Sequence, residues 1–229
     1  MSLKPKKKSD IKKMEEKMKS KASKMDSMNI LPPYTMIVSE GIKTEPLYIN
    51  GLVKKVNDKY KNLTKEPHIA VYGTGRNTQG LIRFVDKKIT NGEWSHYKKF
   101  WLMYDKDDFP LYNFDNTQFE AEARKSHEMS VAWSNESIEL WFLLYFEDYH
   151  ANNGRKQYIE KLNTYFEYSK TREDLFEILN EKGSLENAKK RARKMYQEFL
   201  DSGVTSMSAM VPATRVYELV EELERYLKN

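Results

Sequence analysis

The sequence predicts an α/β fold: a mostly parallel four-stranded sheet with helices on both faces, followed by a helical C-terminal region. Three observations carry this expectation. Short apolar runs alternate with segments of helical period from Thr35 to Glu147, the pattern of parallel βαβ units wound right-handed. The runs are continuously apolar, as expected of strands covered on both faces. From Gly154 onward only helical periodicity remains.

The elements follow in order. Thr35–Ser39 (TMIVS) reads as the first strand, and Thr44 to about Tyr60 as a helix with Leu47, Leu52, Val53 and Val56 on one face. Pro67–Tyr72 (PHIAVY) is a second strand, closed by Gly73-Thr74-Gly75. Thr78–Ile89 is a second helix, with Leu81, Ile82, Phe84, Val85 and Ile89 on its apolar side, and Phe100–Tyr104 (FWLMY) a third strand. Residues 116–128 read as a third, more polar helix, Met129–Trp133 (MSVAW) as a fourth strand, and the apolar run after Asn135 as a fourth helix. Helical patterns at about 155–168, 172–181, 184–201 and 213–228 complete the chain. The expected organisation is a basic arm over residues 1–33, an α/β core over 34–150 and a helical layer packed on it over 151–229.

Charge is unevenly distributed. Residues 1–28 hold ten Lys against four acids, whereas the rest of the chain carries 29 Lys and Arg against 30 Asp and Glu. The basic balance thus belongs to the arm, where Ile11, Met14, Met18, Ala22 and Met25 make a thin apolar stripe on a Lys-rich helix. A solvated tail or a phosphate- or partner-binding helix both fit it, and Asn29-Ile30-Leu31-Pro32-Pro33 reads as a linker. The absence of cysteine excludes disulfides and cysteine-ligated zinc. The longest apolar run, Leu140–Phe146, is far short of the ~20 residues of a membrane span. No membrane association and a cytoplasmic location are expected.

Ligands of an open parallel sheet bind at the carboxyl ends of its strands. The first strand ends in Ser39-Glu40-Gly41, the second in Gly73-Thr74-Gly75-Arg76-Asn77, the third in Asp105-Lys106-Asp107-Asp108 and the fourth in Ser134-Asn135-Glu136. Residues two apart in extended chain point the same way, so Asp105 and Asp107 can aim at one point and Glu40 can join them. Three converging carboxylates repel one another, and a hard divalent cation such as Mg²⁺ resolves the repulsion through oxygen ligands. Turn formation and helix capping are the competing explanation for such acids.

Four blocks carry a resemblance: "MIVSEGIKTEPLYINGL" (36–52), "FWLMYDKDD" (100–108), "SNESIELWFLLYFE" (134–147) and "PATRVYELVEEL" (212–223). In this order they resemble the RloB-like proteins, bacterial proteins linked to restriction and phage-defence loci. The resemblance covers residues 35 to 229. It implies a Toprim-like (Rossmann-like) fold related to the nuclease domains of the OLD family, with Glu40, Asp105 and Asp107 holding Mg²⁺ or Mn²⁺. Glu45 matches the second acid of the EG…TE block. Glu139 matches the acid of the SN…E block, as a further carboxylate near the metal. Two departures stand out: Glu136-Ser137 follow the Asn where a Pro is usual, and Tyr145 precedes Phe146 where a His is usual. If that His takes part in catalysis, the Tyr bears on activity. A topoisomerase is excluded because no DNA-gating domain with a Tyr nucleophile is visible.

The expected function is therefore divalent-metal-dependent hydrolysis of DNA or RNA in phage defence or abortive infection. Glu40, Asp105 and Asp107 would be metal ligands, Glu45 or Glu139 a general base or second-metal carboxylate, and Lys43 and Arg76 phosphate contacts. The alternative is a catalytically weak sensor or adaptor that binds a defence-system partner protein or nucleic acid, favoured by the near-neutral core. Self-association is a further expectation. A small-molecule phosphohydrolase is a third reading, weakened because its strand-Asp-x-Asp belongs on a first strand. Among other residues, Ser134 and Asn135 read as helix caps. His68 and His127 read as structural, Trp141, Phe142 and Phe146 as core, and Arg215 as the start of the last helix or a surface residue.

Deleting residues 1–28 is expected to leave the melting temperature nearly unchanged, because the arm has little apolar surface to bury. The deletion should weaken nucleic-acid binding and flatten its salt dependence. A large fall in melting temperature would show the arm to be part of the fold.

Overall fold

The computed structural model describes residues 31–107 and 110–228. The arm and its apolar stripe, up to Ile30, lie outside the described residues, as do Asp108 and Phe109. Elements β1 (Thr35–Ser39), α1 (Thr44–Tyr60), β2 (Ile69–Gly73), α2 (Thr78–Thr90), β3 (Lys99–Asp105), α3 (Leu111–Glu122) and β4 (Glu128–Asn135) follow one another. They are succeeded by α4 (Glu139–Leu143), α5 (Gly154–Tyr165), α6 (Leu175–Lys182) and α7 (Leu185–Asp201). A 3₁₀ turn (Met207–Ala209), β5 (Ala213–Thr214) and α8 (Val216–Lys228) end the described chain.

The fold is α/β, with one five-stranded sheet in the order β2-β1-β3-β4-β5. The first four strands are parallel and β5 is antiparallel to β4. Strand β1 is buried along its whole length and β3 from Phe100 onward, which is why their sequences run apolar without alternation. The path from β1 to β2 moves one way across the sheet, and the path from β2 to β3 moves back over β1. Right-handed crossovers therefore put α1 and α2 on opposite faces. Helix α8 packs beside α1 and against β4, while α3 packs beside α2 and against β4. The buried apolar residues of the sheet and of the C-terminal helices form one continuous cluster.

This strand order decides where a ligand can sit. The winding reverses between β1 and β3, and a crevice opens at their carboxyl ends. The register sets Ser39 beside Met103, and the Glu40 N–H donates to the Met103 carbonyl at 2.9 Å. Glu40 thus leaves the sheet beside the strand that ends in Asp105.

The observed elements differ from expectation in four places. The sheet has five strands, not four: Ala213–Thr214 was read into the last helix, but pairs with Asn135 and Ser134. Two residues carry no periodicity, so sequence pattern cannot detect such a strand. Helix α3 begins directly after Pro110 and ends at Glu122, about five residues earlier than expected. Proline lacks an N–H and suits a helix start, and the polar residues 123–127 lead into β4. Helix α4 is only five residues long and buried throughout. Finally, Leu31 packs against the core, and the buried Pro32 accepts a 2.7 Å hydrogen bond from His68 Nδ1, where the sequence suggested a linker. No helix among the described residues is long and apolar enough to cross a membrane.

One buried ion pair ties α8 to the sheet. Glu222 is 4% exposed; it accepts from Trp101 Nε1 at 3.2 Å and pairs with Lys99 Nζ at 2.6 Å. Glu222→Ala leaves an indole N–H and an ammonium without that partner, and is expected to lower stability by about 3 kcal/mol in urea denaturation. Glu222→Gln keeps an acceptor and should cost less. Equal losses for the two variants would show that packing, not the polar contact, holds α8.

Candidate functional site

Glu40 stands at the end of β1, where the chain turns through Gly41 into α1. Its Oε2 accepts from the Thr78 hydroxyl at 3.0 Å, and Thr78 is fully buried at the start of α2. Gly41 leaves room for Glu45: a Cβ there would stand 2.1 Å from Glu45 Oε2 and would push that carboxylate aside. The first turn of α1 therefore folds the Glu45 carboxylate back over the strand end, and Glu45 is 6% exposed.

Asp105 closes β3 and is 6% exposed. The next two residues are fixed by β4 and its extension: Lys106 N–H donates to the Ser134 carbonyl at 2.9 Å, and Asp107 N–H to the Glu136 carbonyl at 3.1 Å. Asp107 has φ +41°, a left-handed conformation that Asp tolerates better than most residues. The Asp105 and Asp107 carboxylates converge on one nitrogen, Nη2 of Arg155, which lies 2.9 Å from Asp105 Oδ2 and also contacts Asp107 Oδ1. Arg155 Nε lies 3.4 Å from Glu139 Oε2. Glu139, 1% exposed at the start of α4, also accepts from the Tyr168 hydroxyl at 3.0 Å and has Lys170 Nζ at 3.7 Å.

Arg155 is held in place by the start of α5. Gly154 has φ +75°, and the Glu136 carboxylate lies over it, 3.0 Å from where a Cβ would stand. Glu136 thereby places a negative charge at a helix N-terminus, where the backbone dipole favours it.

The result is a cleft of about 550 Å³ lined by Glu40, Glu45, Asp105, Asp107, Glu139 and Arg155, with Lys43, Arg76, Asn77 and Lys170 also contributing. Burial pushes Glu40 up to about 7, against the bond from Thr78 and with added repulsion from Asp107 and Glu45. Burial is also the largest cause of the upward shift at Asp105, followed by repulsion from Glu45 and Glu139, with Arg155 opposing. Glu45 and Asp107 move upward, again chiefly through burial. Arg155 moves upward although burial opposes it, because Asp105, Glu139 and Asp107 surround it.

This donor set suits a hard divalent cation. Among the described residues five carboxylates outnumber the two cations that touch the group, Arg155 and Lys170, and Glu139 Oε2 is buried without a hydrogen bond. All the donors are oxygens, as Mg²⁺ and Mn²⁺ prefer. Yet among the described residues no three acidic or imidazole groups stand ready at metal-ligand spacing. The Arg155 guanidinium holds the position between Asp105, Asp107 and Glu139.

The structure thus brings all five acids singled out in the sequence to one cleft, and places Lys43 and Arg76 on its lining. Asp105 and Asp107 meet directly on Arg155, while Glu40 reaches the group beside Thr78, whose hydroxyl also lies 3.5 Å from the Asp105 carbonyl. Sequence reasoning missed Arg155, Thr78, Glu136, Tyr168 and Lys170. Arg155 follows an Asn-Asn-Gly turn with no local motif; its signal was indirect, since buried acids need a counter-charge.

Ser134 and Asn135 are not helix caps. Ser134 Oγ bonds Thr214 Oγ1 at 2.9 Å, and Asn135 Nδ2 donates to the Met207 and Ser208 carbonyls, both at 3.2 Å; they anchor β5 and its approach. Arg215 is half-buried and bidentate to Glu218. Trp141 and Phe142 are fully buried, and Phe146 stacks on Tyr165. Tyr145 is also in the core, its hydroxyl 2.8 Å from that of Tyr48, and does not line the cleft.

A pH dependence follows in chelator. Glu40 has a folded-state value above its ordinary 4.5, so its protonated form favours the fold. That contribution is complete below about 4.5 and is lost as pH rises through about 7. Across this window Glu40→Gln is expected to gain stability relative to the wild type as pH rises, measured by urea denaturation. A constant difference between the two proteins would show that Glu40 is not crowded.

No curated protein and no solved structure matches the chain. The family model described as "RloB-like protein" matches residues 35–223, a span that includes β1, β3, β4 and every acid of the cleft. The chain belongs to the RloB-like protein family.

Proposed function

We propose that the cleft binds a divalent cation and that the protein is a nuclease, hydrolysing phosphodiester bonds of DNA or RNA in bacterial phage defence. One observation carries the reading: the first and third strands, adjacent in the sheet, deliver Glu40 and the Asp105-x-Asp107 pair to a single cleft that also buries Glu45 and Glu139. The same arrangement supports a Toprim-like description of the parallel part of the sheet, as the resemblance implies. Family membership agrees with the defence role that the resemblance suggests.

Glu40, Asp105 and Asp107 would hold Mg²⁺ or Mn²⁺, which when bound supplies Lewis-acid polarisation of a phosphate oxygen and acidifies water. Glu45 and Glu139 are the carboxylates left to accept a proton from the attacking water, and burial raises the proton affinity of Glu45. Lys43 and Arg76 line the cleft and would steady the phosphates. Arg155 balances the acids when no metal is bound. A guanidinium in this position would also suit bidentate contact with a phosphate.

A second reading is favoured by the same Arg155. A guanidinium that already bridges three carboxylates supports a metal-free module that senses or binds a defence partner. Melting temperature with and without Mn²⁺ separates the readings. Metal at about a hundredfold excess over Kd is expected to stabilise the wild type by ~2.7 kcal/mol. Asp105→Asn should hold or gain stability without metal, because repulsion is relieved, and should lose both the metal shift and Mn²⁺-dependent cleavage. Equal metal shifts in both proteins would remove Asp105 from the ligand set and favour the binding module.

A further inference from the structure

Beside the acidic cleft, at the carboxyl end of edge strand β2, an aromatic side chain is turned outward. Tyr72 is 43% exposed, although its neighbours continue into the core. Its ring stacks on Phe84 of α2, with centroids 5.6 Å apart and planes 25° from parallel, and meets Trp94 edge-on at 5.5 Å. The ring is thus braced from behind and from the side while part of it faces solvent. The Arg76 guanidinium lies 4.9 Å from the centroid of Phe84, and Lys88 Nζ lies 5.7 Å from it.

Arg76 belongs to both places, for it also lines the acidic cleft. It lies four positions after Tyr72, at most ~14 Å of extended chain. The intervening turn is fastened to the cleft: Thr74 N–H donates to the Ser39 carbonyl at 3.0 Å and Gly75 N–H to the Glu40 carbonyl at 2.8 Å. Tyr72 and Arg76 thus share Phe84 as a neighbour, and Arg76 also lines the cleft into which Glu40 projects.

We propose that Tyr72, backed by Phe84 and flanked by Arg76, is a base-stacking platform that leads a single-stranded polynucleotide into the cleft. The proposal rests on the phosphodiester reading above and deepens it by naming the substrate class. A base within a duplex has both faces covered by its neighbours, whereas an unpaired base has a face to offer. Aromatic platforms beside cationic side chains are how single strands are held without sequence preference. Arg76 sits where the next phosphate passes from platform to cleft.

The test measures fluorescence anisotropy of full-length protein, in Ca²⁺, with labelled oligo(dT), oligo(U) and a duplex of the same length. Cleavage in Mn²⁺ is assayed in parallel. The wild type is expected to bind single strands more tightly than duplex; the two single-stranded probes report whether the DNA-type or the RNA-type strand is preferred. Tyr72→Leu should weaken single-strand binding about tenfold, and Tyr72→Phe should restore it. A single strand bearing 5-iodouracil, irradiated with wild-type protein, should cross-link to the peptide containing Tyr72, a readout independent of whether the Leu variant folds. Equal single-strand affinity for the Leu variant and the wild type, tighter binding of duplex, or cross-links confined to other peptides overturns the platform. If Mn²⁺-dependent cleavage persists in that case, the cleft reading survives. If the wild type neither binds nor cleaves any of the probes, both fall together.

Discussion

Packing several carboxylates against one guanidinium is the constraint around which this molecule is arranged. Glu45, Asp105 and Glu139 are almost entirely withdrawn from water, and like charges in such surroundings are expensive unless a cation stands among them. Arg155 is that cation. It comes from α5, fifty residues after Asp105, so the C-terminal helices are needed to balance a site built by the N-terminal strands. Glu136 and Gly154 fix the start of α5, and Tyr168 and Lys170 approach Glu139 from the segment that follows it. The balance is incomplete: Glu139 Oε2 makes no hydrogen bond although Arg155 Nε lies 3.4 Å away, and it is on this surplus of negative charge that the proposed cation site rests.

The sheet order explains why these groups meet. Had the winding continued in one direction, β1 and β3 would lie apart and their acids with them. Because it reverses between them, Glu40 and Asp105 leave neighbouring strands. The register adds the detail that Glu40 is bonded to Met103, two residues before Asp105. Tyr145 fits the same picture from the opposite side. It pairs with Tyr48 in the core and so contributes to packing rather than to the cleft.

Much of this was legible in the sequence, for identifiable reasons. Strands β1 and β3 are dense apolar runs ending in acids, and the carboxyl-end rule places those acids at one edge of the sheet. Helix α1 showed both its boundaries, because Thr44 and Tyr60 bracket a clean apolar stripe. Features without a local signature stayed hidden. Strand β5 is too short to show a period, and α4 is buried on every side, so it has no stripe to reveal its length. The partners Arg155, Tyr168 and Lys170 are ordinary polar residues until the fold brings them to Glu139. Ser134 and Asn135 misled because capping residues and strand-end anchors use the same side chains, and only Thr214, eighty residues on, distinguishes the two roles.

Asp107 carries a consequence for how this protein tolerates change. Its backbone lies at φ +41°, where glycine would rest without strain and a side-chained residue costs about 1 kcal/mol or more. Selection for robustness alone would favour glycine there, since it would remove both the strain and one of the crowded charges. A carboxylate at such a position carries backbone strain and adds a charge to a crowded group, and what it gains in the fold is its contact with Arg155. A redesign guided by backbone geometry alone would be drawn to glycine there, and would remove along with the strain one of the two carboxylates that meet on Arg155.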